Sequence, residues 1–367
     1  MTKNRIALVV GATGGVGGAV ARALLARGWT VRGLARAPEA AAAAKPGGAG
    51  ITWVKGDAMN AAEVIAAAEG ASVIFHGANP PGYRNWKGLA LPMLQSTIAA
   101  AKAHGARIVF PGTVYNFGPD ARPLVGERSP QRPTMRKGRI RVAMEERLKQ
   151  AAGEGIPVLI VRAGDFFGPM AGNNWFAAGI VKPGRPTTRV QYPGKPDVGH
   201  AWAYLPDLAE TFAQLLDRIT DLASFEVFHF RGHFFERGIG MAEAVRDGLG
   251  RPDMPIRRFP WFAVYLGAPF IETFRELLEM RYLWRERLEL DNRKLVAFLG
   301  AEPHTPLAAA LTETLAGMGS VPAASAFRKP SRAGELIRNC RRRAAARGCA
   351  RPGRRQAPAA RVAAAVR

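Results

Sequence analysis

The sequence predicts an α/β protein in which a doubly wound parallel sheet is followed by a small C-terminal cap. Three observations point there. Short β-branched runs alternate with alanine-rich helical stretches over the first 165 residues. A glycine-rich turn, Gly11 to Gly17, joins the first strand to the first helix. After Gly168 the alternation breaks into a stretch crowded with Pro and Gly.

Strands are expected at Ile6 to Val10, Thr30 to Leu34, Ile51 to Lys55, Ser72 to Phe75, Arg107 to Phe110 and Pro157 to Val161, apolar runs of the length that crosses a sheet buried on both faces. Helices are expected between them at Gly15 to Ala26, Ala61 to Glu69, Leu91 to His104 and Arg139 to Ala152, each ending near a Gly that can stop a helix. Beyond Gly168, residues such as Pro169, Gly172, Pro183, Gly184 and Pro186 suit long loops that shape a site. Helices near Leu205 to Arg218, Met241 to Leu249, Phe270 to Leu283 and Asn292 to Leu299, with a strand near Glu226 to Phe230, read as the cap.

Composition bounds the reading. With 22% charged and 48% hydrophobic residues among 367, a wholly disordered chain is excluded. The formal charge of +23 is uneven: residues 328–367 carry 13 Lys and Arg against the single acid Glu335, about half of the excess. From residue 320 onward large apolar side chains are few, so a disordered basic tail is expected, either a solvated appendage or an arm for an anionic surface. No specific nucleic-acid partner is expected. Both cysteines, Cys340 and Cys349, fall in that tail, which fits a reducing compartment. With the first strand expected from residue 6, no signal peptide is expected. The longest apolar run, Trp261 to Ile271, is broken by Gly and Pro, so a cytoplasmic protein away from membranes is expected. Six scattered histidines give no paired-ligand spacing, and no metal is expected.

The glycine turn carries the first chemical signal. In Gly11-Ala12-Thr13-Gly14-Gly15-Val16-Gly17, Gly11 allows a tight turn and Gly14 lets the backbone approach a pyrophosphate. Gly17 lets helix and strand pack closely, with the helix N-terminus facing the anion. The expected divisions follow: residues 1–168 a Rossmann-like dinucleotide-binding domain, residues 169–319 the substrate cap with some elements returning to the core fold, and residues 320–367 the tail. At the end of the second strand an NAD site usually offers an acid to the ribose hydroxyls, whereas Leu34-Ala35-Arg36 offers a cation. Arg36 can pair with a 2′-phosphate, so NADP(H) is expected over NAD(H), the alternative being a solvated surface charge. Asp57 suits the adenine amino group, with Ala58 against the ring, or else caps the next helix. Gly77 and Ala78 leave space for the cofactor after the fourth strand, beside His76, which also suits a core role.

Taken together, Gly11 to Gly17, Gly56-Asp57, Gly77-Ala78, Thr113 with Phe117-Gly118, Arg162 to Pro169 and Tyr204 to Asp207 resemble the extended and atypical short-chain dehydrogenase/reductase superfamily, in particular NAD-dependent epimerase/dehydratase-like proteins. The resemblance spans about Ile6 to Arg218. It implies a cofactor on the N-terminal sheet and a small-molecule substrate, such as a nucleotide sugar or related carbonyl compound, beneath the cap. A homodimer is common in such proteins. By the same resemblance Thr113, four residues before Phe117, holds the reacting substrate oxygen; the alternative is a turn-stabilising threonine. Tyr115 falls at a substrate-contact position and is a reserve proton donor. Asp165 stands where relatives carry an uncharged substrate-contacting residue, and suggests a polar or cationic substrate group or a loop cap.

The family's Tyr-x-x-x-Lys, followed four residues later by Glu, is broken here. Anchoring on Glu145 puts Arg141 at the lysine position and Lys137 at the tyrosine position. Helical spacing brings Lys137 and Arg141 to one face, where a neighbouring cation would depress the lysine and make it an acid/base candidate. A basic patch facing phosphate or solvent is the alternative. Leu89 to Met93 also lacks the Asn and Gly-Thr pair of relatives. Two functions are therefore expected: an NADP(H)-dependent oxidoreductase or epimerase-like enzyme, or a non-catalytic NADP(H)-binding redox sensor.

Overall fold

The computed structural model describes residues 5–43, 49–80, 85–170, 172 and 174–320. The chain begins as an alternation of β1 (Ile6–Val10), α1 (Gly15–Ala26), β2 (Thr30–Ala35), α2 (Pro38–Ala43), β3 (Ile51–Lys55), α3 (Ala61–Ala67), β4 (Val73–His76), α4 (Trp86–His104) and β5 (Arg107–Thr113). The short β6 (Leu124–Val125), α5 (Arg136–Gly153) and β7 (Val158–Ala163) follow. Seven strands form one sheet in the order β3-β2-β1-β4-β5-β7 and then β11 (Phe225–His229), every pair parallel.

Strand β1 shows why both faces are covered. Ala7 and Val9 enter one apolar core with α1, while Leu8 and Val10 enter another with α3, α4 and α5. Successive side chains point to opposite faces, so an unbroken apolar run needs helices on both sides. Chain order reverses between β1 and β4, and ligands of open α/β sheets bind outside the carboxyl ends of the strands at such a point.

The remaining elements are β8 (Asp165–Phe167), β9 (Val190–Tyr192), β10 (His200–Tyr204), α6 (Leu205–Asp217), β12 (His233–Phe235), α7 (Gly240–Gly248), β13 (Ile256–Arg258), α8 (Trp261–Gly267), α9 (Glu272–Met280), β14 (Glu289–Leu290), α10 (Arg293–Leu299) and α11 (Leu307–Gly317). Apart from α6 and α10, whose Phe212 and Leu295 pack in the core beside α1, they build a smaller body with its own core, in which Trp175, Trp202 and Trp284 meet Phe167, Phe176 and Tyr192. Strands β8, β10 and β12 make a small mixed sheet, and β6 pairs with β14.

Several elements differ from their expected places. Helix α6 and β11, read above as cap, belong to the main sheet's layers: Phe212 of α6 meets Phe75 of β4 edge-on at 5.2 Å, and β11 pairs with β7. Helix α4 starts at Trp86, earlier than expected, because Asn85 caps it by accepting from the Gly88 N–H and Pro92 is accommodated within it. Helices α2, α8 and α11 were not anticipated. The expected tail lies outside the described residues except for Ser320, whose backbone N–H donates to Leu315. Among the described residues no helix is long and apolar enough to cross a membrane.

Candidate functional site

The site is built outward from the glycine turn. Gly11 has φ +90°, a conformation open to glycine, and a Cβ on it would stand 2.6 Å from the Gly77 carbonyl carbon at the end of β4. A Cβ on Gly17 would lie 2.3 Å from the Gly11 oxygen, so α1 and the turn touch backbone to backbone. Gly14 is different. A Cβ there would meet only the Gly11 oxygen, at 3.2 Å, which leaves its outer side open to a ligand. Gly14 is the N-cap of the 12-residue α1, whose first turn, Gly15, Val16 and Gly17, holds no acid. First-turn N–H groups have no partner within the helix and carry the positive end of its dipole. These residues fit a dinucleotide pyrophosphate. Thr13 lies exposed at the rim of the same turn.

Arg36 is exposed directly after β2. Asp57 does not cap α3: Asn60 does, accepting from Ala62 and Glu63 N–H, while Glu63 accepts from the Asp57 N–H at 2.7 Å. The Asp57 carboxylate instead accepts from the Met59 N–H at 2.9 Å. Asp57 and Ala58 are half-buried after β3.

A cavity of ≈120 Å³ begins at Val16, passes Gly77 and Ala78, and reaches Thr113, Tyr115, Arg141 and Asp165, with Trp86 and Trp175 among its walls. Thr113 ends β5, and its Oγ1 accepts from the Tyr115 N–H at 3.2 Å, so the hydroxyl both fixes a turn and keeps a proton to donate. His76 is buried, with Nδ1 2.7 Å from Thr97 Oγ1 and Nε2 unpartnered among the described residues. Burial, with Arg141 nearby, holds its imidazole down to about 3, so it is neutral. The Arg141 guanidinium lies 5.2 Å from the Trp86 ring and 5.3 Å from Phe110, with Nη1 3.4 Å from the Pro111 carbonyl.

Lys137 is placed differently from Arg141. It is 1% exposed, does not line the cavity, and sets its Nζ 2.7 Å from the carboxylate of Glu276 on α9, which Arg136 also engages. Its amine is held below the ordinary lysine range by burial, opposed by Glu276; Arg141 is not the cause. Gly138 allows this seating: a Cβ there would stand 2.3 Å from the Tyr115 carbonyl oxygen. Glu145 is likewise structural. It receives Arg162 Nη2 at 2.6 Å in a buried pair, with Gln131 donating at 3.2 Å. His229 accepts from Arg162 and donates Nδ1–H to the Val125 carbonyl, and burial holds it down to about 3. The Asp207 carboxylate ties α6 to Thr305, accepting from its N–H at 2.7 Å and its hydroxyl at 2.6 Å.

One partner in the site was not foreseen. Asp165, 6% exposed, receives His200 Nε2 at 2.9 Å, and the His200 ring stacks on Trp284 at 4.1 Å and 12°. Parallel pairing of β8 with β10 opposes Asp165 to Trp202 and brings His200 within reach. The only signal in the sequence was the unexpected acid at 165.

The sheet order, the glycine turn at the point where that order reverses and the cavity at the strand ends define a Rossmann-like α/β protein. The chain belongs to the NAD dependent epimerase/dehydratase family, whose sequence profile matches residues 7–229. No curated protein matches it in sequence. Its fold is shared with solved structures of low identity. A UDP-glucose 4-epimerase from Bifidobacterium longum, in complex with NAD+ and UDP, is 17% identical with a TM-score of 0.64, covering 88% of this chain and 100% of that one. A UDP-glucose-4-epimerase from Stenotrophomonas maltophila, with bound NAD and formylated UDP-arabinopyranose, is 16% identical with a TM-score of 0.65, covering 85% and 97%. A UDP-N-acetylglucosamine 4-epimerase from Bacillus cereus is 14% identical with a TM-score of 0.62, covering 85% and 98%.

Proposed function

We propose that the chain is a nicotinamide-dinucleotide oxidoreductase or epimerase-like enzyme acting on a carbonyl or hydroxyl of a small, nucleotide-sugar-type substrate, with NADP(H) preferred over NAD(H). The carrying observation is the continuity of one cavity from Val16 on the glycine helix to Thr113 and Asp165. A nicotinamide bound there supplies hydride transfer; the chain orients the substrate and handles protons. Gly14, Gly15 and the start of α1 take the pyrophosphate, Arg36 the 2′-phosphate, and Asp57 and Ala58 the adenine. Thr113 donates to the reacting oxygen and Arg141 supplies positive charge at the cavity wall. Lys137 is a positioning residue, since acting as acid or base requires its pair with Glu276 to open. Residues 1–168 with α6 and β11 serve as the dinucleotide-binding body, and much of 169–319 as the cap of a cytoplasmic enzyme that pairs as a homodimer.

The replaced tyrosine favours one second reading, an NADP(H)-binding sensor without turnover. Both rest on the cofactor. A charge-assisted pair contributes about 1.5–3 kcal/mol, so Arg36→Ala is expected to weaken NADPH binding by about 10- to 100-fold and leave NADH binding unchanged in a fluorescence titration. Equal affinity of the wild type for both nucleotides would refute the 2′-phosphate assignment. Substrate-dependent change in NADPH absorbance separates enzyme from sensor.

A further inference from the structure

We propose that Asp165 and His200 form a proton-carrying pair that delivers the proton to a substrate carbonyl oxygen, the task left open by the lysine at position 137. The proposal rests on the reading that this cavity is where a carbonyl is reduced.

His200 Nδ1 lies 3.2 Å from the carbonyl oxygen of Leu283, which only accepts, so a hydrogen bond there needs a hydrogen on Nδ1. Nε2 lies 2.9 Å from Oδ2 of Asp165. An ionised carboxylate also only accepts, so this second contact needs a second proton, on Nε2 in an ion pair or on Oδ2 in a neutral pair. With both hydrogen bonds made at once, the pair holds one proton more than a neutral imidazole beside a carboxylate. The stacked Trp284 indole offers the ring a face that favours a cation.

The surroundings isolate that proton and aim it. The two side chains are 6% exposed each. Tyr192 and Tyr282 are near enough to sense the Asp165 charge: burial and then that charge raise the Tyr192 phenol, and burial raises Tyr282 against the pull of Arg122, so both stay protonated and neutral. Arg122 reaches this cluster across the Tyr282 ring, 5.0 Å from its centre, and pairs with Glu286. Trp202 covers His200 from the same strand at 5.2 Å. On the open side, Asp165 lines the cavity with Thr113. Pairing of β5 with β7 sets Thr113 opposite Ala163, and Asp165 follows two residues later.

The step balances. The carbonyl carbon takes hydride from the reduced nicotinamide dinucleotide, the carbonyl π pair moves onto oxygen, and that oxygen takes the proton through Asp165. One C–H and one O–H bond form, the dinucleotide is oxidised, and the pair is left as neutral His200 beside ionised Asp165, to be refilled from solvent. Asp165 is the catalytic group, and His200 positions it and stores the proton.

Two measurements on the full chain test this. Nitrogen-15 NMR of the histidine rings with carbon-13 NMR of the aspartate carboxyls, at neutral pH, is expected to find two protons on the pair, Nδ1–H together with either Nε2–H or a protonated Asp165. A single ring proton beside an ionised Asp165, whether on Nδ1 or on Nε2, would overturn the proposal. Calorimetric binding of NADP+ and NADPH in two buffers of different ionisation enthalpy is expected to show proton release, up to one per site, with NADP+ in excess of NADPH, because the added positive ring disfavours the protonated pair. Asp165→Asn is expected to bind both nucleotides and lose that difference. Equal release for both nucleotides in the wild type would also overturn it. Failure to bind either nucleotide sinks the reading of the preceding section and the reductive role with it, a result distinct from the NMR count.

Discussion

Glu276→Gln tests the buried pair that seats the start of α5. Lys137 is 1% and Glu276 4% exposed, with 2.7 Å between amine and carboxylate. The substitution keeps the shape and removes the counter-charge, and breaking a buried pair this way costs about 3–5 kcal/mol. The penalty has a ceiling because the amine can deprotonate. From an unfolded value of about 10.4, losing a proton at pH 7 costs about 4.6 kcal/mol at about 1.4 kcal/mol per unit. Burial already lowers Lys137 and Glu276 raises it, so the variant holds it lower still. Between its folded and unfolded values the unfolded chain binds the extra proton, so stability rises with pH by up to about 1.4 kcal/mol per unit. In the variant that rise begins at lower pH than in the wild type. The expected result in urea unfolding is therefore a loss of about 3–5 kcal/mol at pH 7 that narrows at pH 9. Lys137→Met costs less, because Glu276 keeps Arg136 as a partner. A loss under about 1 kcal/mol with no narrowing, the behaviour of a surface pair, would show the amine to be solvated and would restore it as an acid/base candidate.

Further outcomes follow from the same geometry. Gly17→Ala drives a Cβ into the Gly11 backbone at 2.3 Å, and is expected to cost about 1–3 kcal/mol and to weaken NADPH binding, as read by thermal melting and fluorescence titration. Glu145→Gln leaves buried Arg162 without its carboxylate, and a loss of about 3–5 kcal/mol of unfolding free energy in urea is expected, largely recovered by pairing it with Arg162→Met. His76 and His229 are both held down to about 3, below their unfolded value, so the unfolded chain takes up protons first. Their stabilising contribution is present above about pH 6.5 and is lost as pH falls toward 3; Tm measured from pH 7 to 4 should fall less steeply in His229→Gln.

The bounds of β1, α1 and β3 follow the sequence signals because local chemistry sets them: a β-branched run on one side, a glycine or a cap on the other. Where tertiary contact decides, those signals mislead. The fourth helix, expected from Leu91, starts at Trp86, because Asn85, at φ +48°, caps it there. Strand β11 reads as cap by position, since it follows a long loop-rich stretch, but its pairing with β7 closes the main sheet. No local pattern encodes that return.

The same division holds in the site. The glycine turn, Thr113 and the changed Tyr-x-x-x-Lys positions sit at the ends of the first strands or at fixed helical spacing, and were legible. Their counter-charges were not. Glu276 meets Lys137 across 139 residues, and His200 meets Asp165 across 35. Yet each partner answers a departure from the family pattern: a lysine in place of the tyrosine acquires a buried carboxylate, and an acid in place of an uncharged contact acquires an imidazole. A lone substitution at either position would leave a buried charge unpaired, which costs more than the intact pair contributes. A variant of one member therefore reports first on the burial of the other, and variants of Lys137 and Asp165 made together with Glu276 and His200 separate that burial from a role in the site.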